Sequence, residues 1–268
     1  MGVDVGAAWL GLVRHTDGRW RLPVREGVIS GAGALFGGCA TAAALVAAQE
    51  LASQPPLWAS AHFGTLAKLG TDVELATRTI SAGRTMTHVE IAGRVGDRES
   101  FVVRVAAGAR PDHPARGQWV EAPAVSSPHE CPRFDHPVHG GSWAERFEWR
   151  LAGTGPATEP WAAWWVRPAE AVAHPLVPVA VLADYVTYGV GRALDQPMGG
   201  LSIDNVLRLH RVHRAAATDW LLLEIRPEGI EGGFGHGTAR LFAGPDLVAT
   251  GSQSMVMNNW DWRLPSER

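Results

Sequence analysis

Three polar side chains in the second half of the chain stand where their neighbours are apolar. Asp184 lies in AVLADYVTYG, Ser202 opens a strand in GGLSIDNVLRLHR, and Gln253 sits inside ATGSQSMVM. A carboxylate on an otherwise apolar helix is costly unless it is paired, exposed or functional. Taken singly, each residue also fits a plainer role: an exposed helix Asp, a turn Ser, an edge-strand Gln. The residues alone leave both readings open.

Other groupings are weaker. Gly31-Ala-Gly33-Ala-Leu-Phe-Gly37 precedes a helical run, as a dinucleotide loop would. It lacks a third glycine in register, a βαβ continuation and an acidic residue ~20 positions on. No glycine-rich loop precedes Lys68, the only lysine, and no G-x-S-x-G elbow is present. His129, Cys131, His136 and His139, with Asp135 among them, have spacings that zinc can use. They fall in a proline-rich stretch that reads as a solvated linker, so no metal and no cofactor is expected.

The elements that must position Asp184, Ser202 and Gln253 repeat. The first half has a short alternating run, GRWRLPV, then a buried helix over residues 38–52, stopped by Pro55 and Pro56. Four strand-like runs follow (WASAHFGTLAK, DVELATRTISAG, TMTHVEIAGRV, RESFVVRVAAG), divided by Gly70, Gly83 and Gly96-Asp97. Residues 109–141 have no sustained period and read as a linker. Beyond them come ERFEWRLAG and WAAWWVRP. A helix is then predicted from Pro175, with Leu176, Val179, Leu182, Ala183 and Val186 at helical spacing and Gly189 and Gly191 ending it. Four more strand-like runs close the chain. The helices are offset by about half its length, as in an internal duplication. The pattern is α+β and matches a tandem double hot-dog, each half a long helix wrapped by a curled antiparallel sheet. The expected division is 1–110, a linker over 111–141, and 142–268.

On that frame the three polar segments together resemble the acyl-CoA thioesterase II family. The resemblance rests on LADYVTYG (Asp184), LSIDNVLRLHR (Ser202, with Asp204 and His210) and ATGSQSMVM (Gln253). DWLLLEIRPEGIEGGFGHGTARLF, LFGGCATAAAL and the first-half strand run add to it. The chain departs from the family pattern at Gln253-Ser254-Met255 and at Cys39, and matches poorly in the linker and around Trp161–Trp165. The resemblance implies an acyl-CoA substrate and a catalytic set of Asp184, Ser202 and Gln253.

The chemistry is coherent with those residue types. A thioester is already activated, so hydrolysis needs a positioned water, a proton acceptor and stabilisation of the oxyanion. Asp184 would take or orient the water's proton, and Ser202 and Gln253 would fix that water by hydroxyl and amide. Gly37 and Gly38, opening the first helix, would offer backbone N–H groups to the oxyanion or substrate. A double hot-dog that binds acyl chains without turnover is the non-enzyme alternative. A hot-dog hydratase is another, although no Gly-Asp-x-Asn-Pro-like context is present.

Composition narrows the setting. The chain has 268 residues and a net charge of −3, with 46% hydrophobic residues, enough for a large core and without a basic stripe for nucleic acid. Its longest apolar stretch, around Gly38 to Ala48, is shorter than the ~20 residues a bilayer span needs. Two cysteines and no signal-peptide pattern fit the cytoplasm. Most of the twelve tryptophans are expected as core or interface anchors. A homo-oligomer, a dimer of double hot-dogs, is the expected assembly; acyl length and carrier stay open.

Overall fold

The structure is a computed structural model that describes residues 8–138, 140–217 and 219–259. The first half comprises β1 (Val13–Arg14), β2 (Trp20–Pro23), α1 (Gly37–Ala52), β3 (Pro56–Phe63), β4 (Asp72–Ala82), β5 (Met86–Val95) and β6 (Arg98–Gly108). The second comprises β7 (Phe147–Thr154), β8 (Ala162–Pro168), α2 (Leu176–Ala183), α3 (Val186–Leu194), β9 (Met198–Ser202), β10 (Asp204–Leu209), β11 (Leu221–Glu231), β12 (Phe234–Ala243) and β13 (Asp246–Asn259). The strands form one open antiparallel sheet.

Outward from its middle, the sheet runs β3-β6-β5-β4-β2 on one side and β10-β13-β12-β11-β8 on the other. The two halves thus share one connectivity. They meet at β3 and β10, which pair from Asp204↔His62 to Arg208↔Trp58, centred on Val206↔Ser60. α1 packs on β3, β4, β5 and β6, while α2 and α3 pack on the second half's strands. Small side chains let α1 lie close to the sheet: Ala42, Ala43, Ala44, Ala47 and Ala48 are all fully buried, with Leu45 and Val46 filling between them. α1 ends at Ser53, whose left-handed φ of 52° turns the chain into the prolines while its N–H caps Gln49 O.

The second helix departs from its prediction. It breaks after Ala183 into α2 and α3, so Asp184 is a helix terminus and not a mid-helix residue. At the break Tyr185 N donates to Leu182 O at 3.1 Å, a tighter i−3 turn. Gly189 and Gly191 lie inside α3, which stops at Asp195 in the left-handed region (φ 54°). Glycine is needed at 189 for close packing, since a Cβ there would sit 2.7 Å from Ile225 Cγ1.

The predicted strand over LSIDNVLRLHR also breaks, at Ile203. β9 pairs with the end of β13 and β10 crosses to the first half. Residues 109–141 form no helix or strand where described, but they are not solvated throughout. Cys131, His136 and Val138 are buried, and Val120, Ala122 and Val125 cover Leu222, Phe242 and Leu247 on the outer sheet face. Gln118 clamps the segment by donating to Pro245 O at 2.9 Å and accepting from Leu247 N at 2.8 Å. Among the described residues, no helix is long and apolar enough to cross a membrane.

Candidate active site

The helix break turns Asp184 into the centre of a buried polar cluster. Its Oδ1 accepts from Gln253 Nε2 at 2.5 Å and from Asn205 Nδ2 at 2.9 Å. Gln253 Nε2 also donates to Ser202 Oγ at 3.0 Å. The three residues singled out in the sequence, on α2's end, β9 and β13, therefore form one hydrogen-bonded chain. Asp184 and Gln253 are fully buried and Ser202 is half-buried.

Asn205 was missed in the sequence reading. It is buried on the inner face of β10, where Leu207 and Leu209 follow at period two. An asparagine in a core-facing register was the available signal. It also donates to Ala183 O at 3.4 Å, taking up a carbonyl at the broken helix end. Asp204 has a different job. Its Oδ1 accepts from Ser254 N at 2.7 Å, tying β13 to the β9–β10 break. His210 lies beyond the far end of β10, its N–H bonded to Val248 O.

Burial pushes the Asp184 carboxyl up from its ordinary 3.8 to about 7. The hydrogen bonds from Asn205 and Gln253 and the Gly38 amide pull the other way, and the charge of Asp204 adds a smaller upward push. Oδ2 has no hydrogen-bond donor at standard geometry, and neither do Gln253 Oε1 or Asn205 Oδ1. Each of these buried acceptors can take a hydrogen bond from a donor such as water, or from the carboxyl's own proton.

The N-terminus of α1 faces this cluster across the junction of the halves. A Cβ on Gly37 would lie 2.7 Å from both Asp184 Oδ2 and Phe63 Cζ, and one on Gly38 would lie 2.7 Å from Val181 O. Only glycine allows either approach. The helix has no side-chain N-cap; Cys39 N and Ala40 N donate to Phe36 O, while the N–H groups of Gly37 and Gly38, its first two residues, have no intrahelical acceptor. The two glycines divide the work: Gly38's amide acts on Asp184, while Gly37 lines a cavity of about 80 Å³. Ser202, Thr187, Tyr188, Phe63 and Phe101 line the same cavity, so both halves build it. Burial pushes the Tyr188 phenol up to about 12, which keeps it protonated.

Other candidates disperse. His129 is exposed, Cys131 Sγ bonds to Ser126 O, and His136 is buried among Trp143, Trp149, Tyr185 and Tyr188; His139 lies outside the described residues. No group of three or more His, Cys, Asp or Glu among the described residues is placed to hold a metal. Burial raises the Cys39 thiol, leaving it without thiolate character. No tryptophan lines the cavity; Trp143 and Trp164 are fully buried anchors.

Family models match both halves in order. Residues 26–108 match the acyl-CoA thioesterase N-terminal domain, and residues 120–257 match the acyl-CoA thioesterase C-terminal domain. The chain belongs to the acyl-CoA thioesterase family. It is an enzyme, a thioester hydrolase. Among solved structures, this thioesterase is similar to a candidate thioesterase from Novosphingobium aromaticivorans, at 29% identity over 91% of this chain and 97% of that one (TM-score 0.78). A hot-dog protein from Alicyclobacillus acidocaldarius aligns at 19% identity over 96% and 98% (TM-score 0.79). Acyl-CoA thioesterase II TesB2 from Mycobacterium marinum aligns at 15% over 98% and 100% (TM-score 0.74). The thioesterase therefore has the hot-dog fold. Among curated proteins there is no significant match.

Proposed function

We propose that this thioesterase hydrolyses acyl-CoA to free acid and CoA by direct attack of a water held at Asp184, Ser202 and Gln253. The observation that carries the reading is the buried chain Asp184–Gln253–Ser202, ending at a cavity wall that also holds Gly37. Both N–H groups of Gln253 are committed, one to Asp184 and one to Ser202, so Gln253 holds the other two side chains in place. Its acceptance from Gln253 leaves the Ser202 hydroxyl proton free to point at the cavity. Asp184 Oδ1 is occupied twice, which leaves Oδ2 as the proton acceptor.

In the reaction, the water's proton passes to Asp184 Oδ2 as its oxygen bonds to the thioester carbon. The carbonyl electrons move onto oxygen, where the Gly37 N–H, with Gly38 beside it at the positive end of α1, stabilises the charge. Collapse re-forms the carbonyl and breaks the C–S bond. Asp184 then returns the proton to the departing CoA thiolate. A base with a pKa of about 7 suits both transfers at neutral pH. No covalent acyl-enzyme is needed.

The same reading takes the fold as a tandem double hot-dog, divided at 1–110, 111–141 and 142–268. The repeated strand order and the central β3–β10 pairing support it. It also takes the protein as cytoplasmic, in keeping with the free thiols of Cys39 and Cys131, and as a dimer of double hot-dogs. Thiol release from acyl-CoA, with Asp184→Asn as control, tests the mechanism. Turnover should fall at least a hundredfold in the variant; unchanged turnover would remove Asp184 from the reaction.

A further inference from the structure

The cavity beside Ser202 is small, and its walls are fixed. We propose that this enzyme selects short acyl groups, from acetyl to about hexanoyl, with Phe101 as the floor that stops longer chains. The proposal rests on the reading that Asp184 and Ser202 mark the hydrolytic centre.

The space in this cavity that the centre of a water can reach is about 80 Å³, room for the thioester carbonyl and the first carbons of a chain. Phe101 is 1% exposed and cannot swing away easily, because its ring lies against β5 where a Cβ on Gly93 would run into it. The opposite wall is equally fixed. Phe36 stacks on Trp143 with centroids 4.4 Å apart and planes 8° from parallel, and Tyr188 stacks on Tyr185. Past Ala40, the seam between α1 and its sheet is filled: Ala43, Ala44, Ala47, Ile91, Val103 and Val105 are fully buried. An extended alkyl chain has no groove there. Toward the mouth two large apolar side chains on the cavity wall are exposed, Leu66 and Leu201, and a long tail laid across them would keep one side in water.

The experiment uses two series on the whole protein. Hydrolysis of straight-chain acyl-CoA from two to sixteen carbons gives kcat/KM, and calorimetry with S-alkyl-CoA thioethers of the same lengths gives affinity without turnover. Both should peak at six carbons or fewer and fall at least tenfold by twelve. Phe101→Ala should move both optima longer by two or more carbons. Phe101→Leu, which keeps most of the core contact, should move them the same way by less. A wild-type optimum at twelve to sixteen carbons overturns the proposal, as do unchanged profiles in variants that melt cooperatively. Should the variants not fold, the wild-type profiles decide alone. Short-chain thioether binding without any hydrolysis would uphold the selectivity and remove the hydrolytic reading; long-chain hydrolysis would do the reverse. Failure to bind or hydrolyse at any length would remove both.

Discussion

Asn205 and Asp184 are joined across the break in the second helix: Nδ2 of Asn205 reaches Asp184 Oδ1 at 2.9 Å while the same group touches Ala183 O at 3.4 Å. One amide thus caps the interrupted helix and holds the carboxylate that the interruption exposes to the cluster. Replacing Asn205 by Leu removes a donor that lowers the Asp184 pKa. The acid limb of the pH–kcat/KM profile should move alkaline by about a unit, and stability should fall by ~1–3 kcal/mol from the unpaired carboxylate and carbonyl. Asn205→His, which can still donate, should restore part of the profile. An unmoved limb would confine Asn205 to a structural role.

Activity should rise with pH through about 7 as Asp184 loses its proton, while stability moves the opposite way. The folded pKa lies above the ordinary 3.8, so between those values the folded chain binds more protons than the unfolded chain. Stability from this group is full below pH ~4, declines as pH rises to about 7, and is level beyond. The three-unit difference corresponds to roughly 4 kcal/mol. Asp184→Asn should therefore melt several degrees above the wild type at pH 8 and close to it at pH 4, as read by calorimetry at both pH values.

Gly37→Ala should be nearly inactive although its position is the first residue of a helix, where alanine is otherwise favoured. The new methyl meets Asp184 Oδ2 and the Phe63 ring. A loss of at least a hundredfold in kcat with a stability cost of ~1–3 kcal/mol is expected. Gly38→Ala should cost more stability, because it strikes the Val181 backbone, which cannot rotate away.

Gln253→Glu would set a second carboxylate against Asp184 Oδ1 in place of a donor. Like charges at that separation cannot both ionise readily, so the acid limb should move up by a unit or more. Gln253→Ala also removes a donor that lowers the Asp184 pKa but adds no charge, so it should move the limb less while lowering kcat at every pH by freeing Ser202 and Asp184. Stopped-flow thiol release across pH 5–9 separates the two outcomes.

Ser202→Ala should reduce kcat by about tenfold, and Ser202→Thr should keep most of it, since either hydroxyl can accept from Gln253 and still face the cavity. Equal losses in both variants would show that side-chain shape, and not the hydroxyl, matters at that position.

The run of strands after each helix was legible in the amino-acid order because alternation and glycine turns are local signals; Gly70, Gly83 and Gly96 divide β3, β4, β5 and β6 where expected. The α1 span was legible for the same reason. Asp184, Ser202 and Gln253 could be singled out as polar residues in apolar runs, and a family resemblance joined them. Their contact belongs to the tertiary structure, for it depends on β13 lying beside β9 and under the end of α2. So does the helix break, which local spacing reads straight through because Leu182, Ala183 and Val186 keep helical period on both sides of it. Its causes are non-local: Asn205, 21 residues on, takes the freed carbonyl and the carboxylate together. The approach of Gly37 to Asp184 is more distant still, and exists only because β3 and β10 pair to bring the two halves face to face. Period and composition act over a few residues, whereas a buried charge, its donors and its cavity are set by which faces the folded chain presses together.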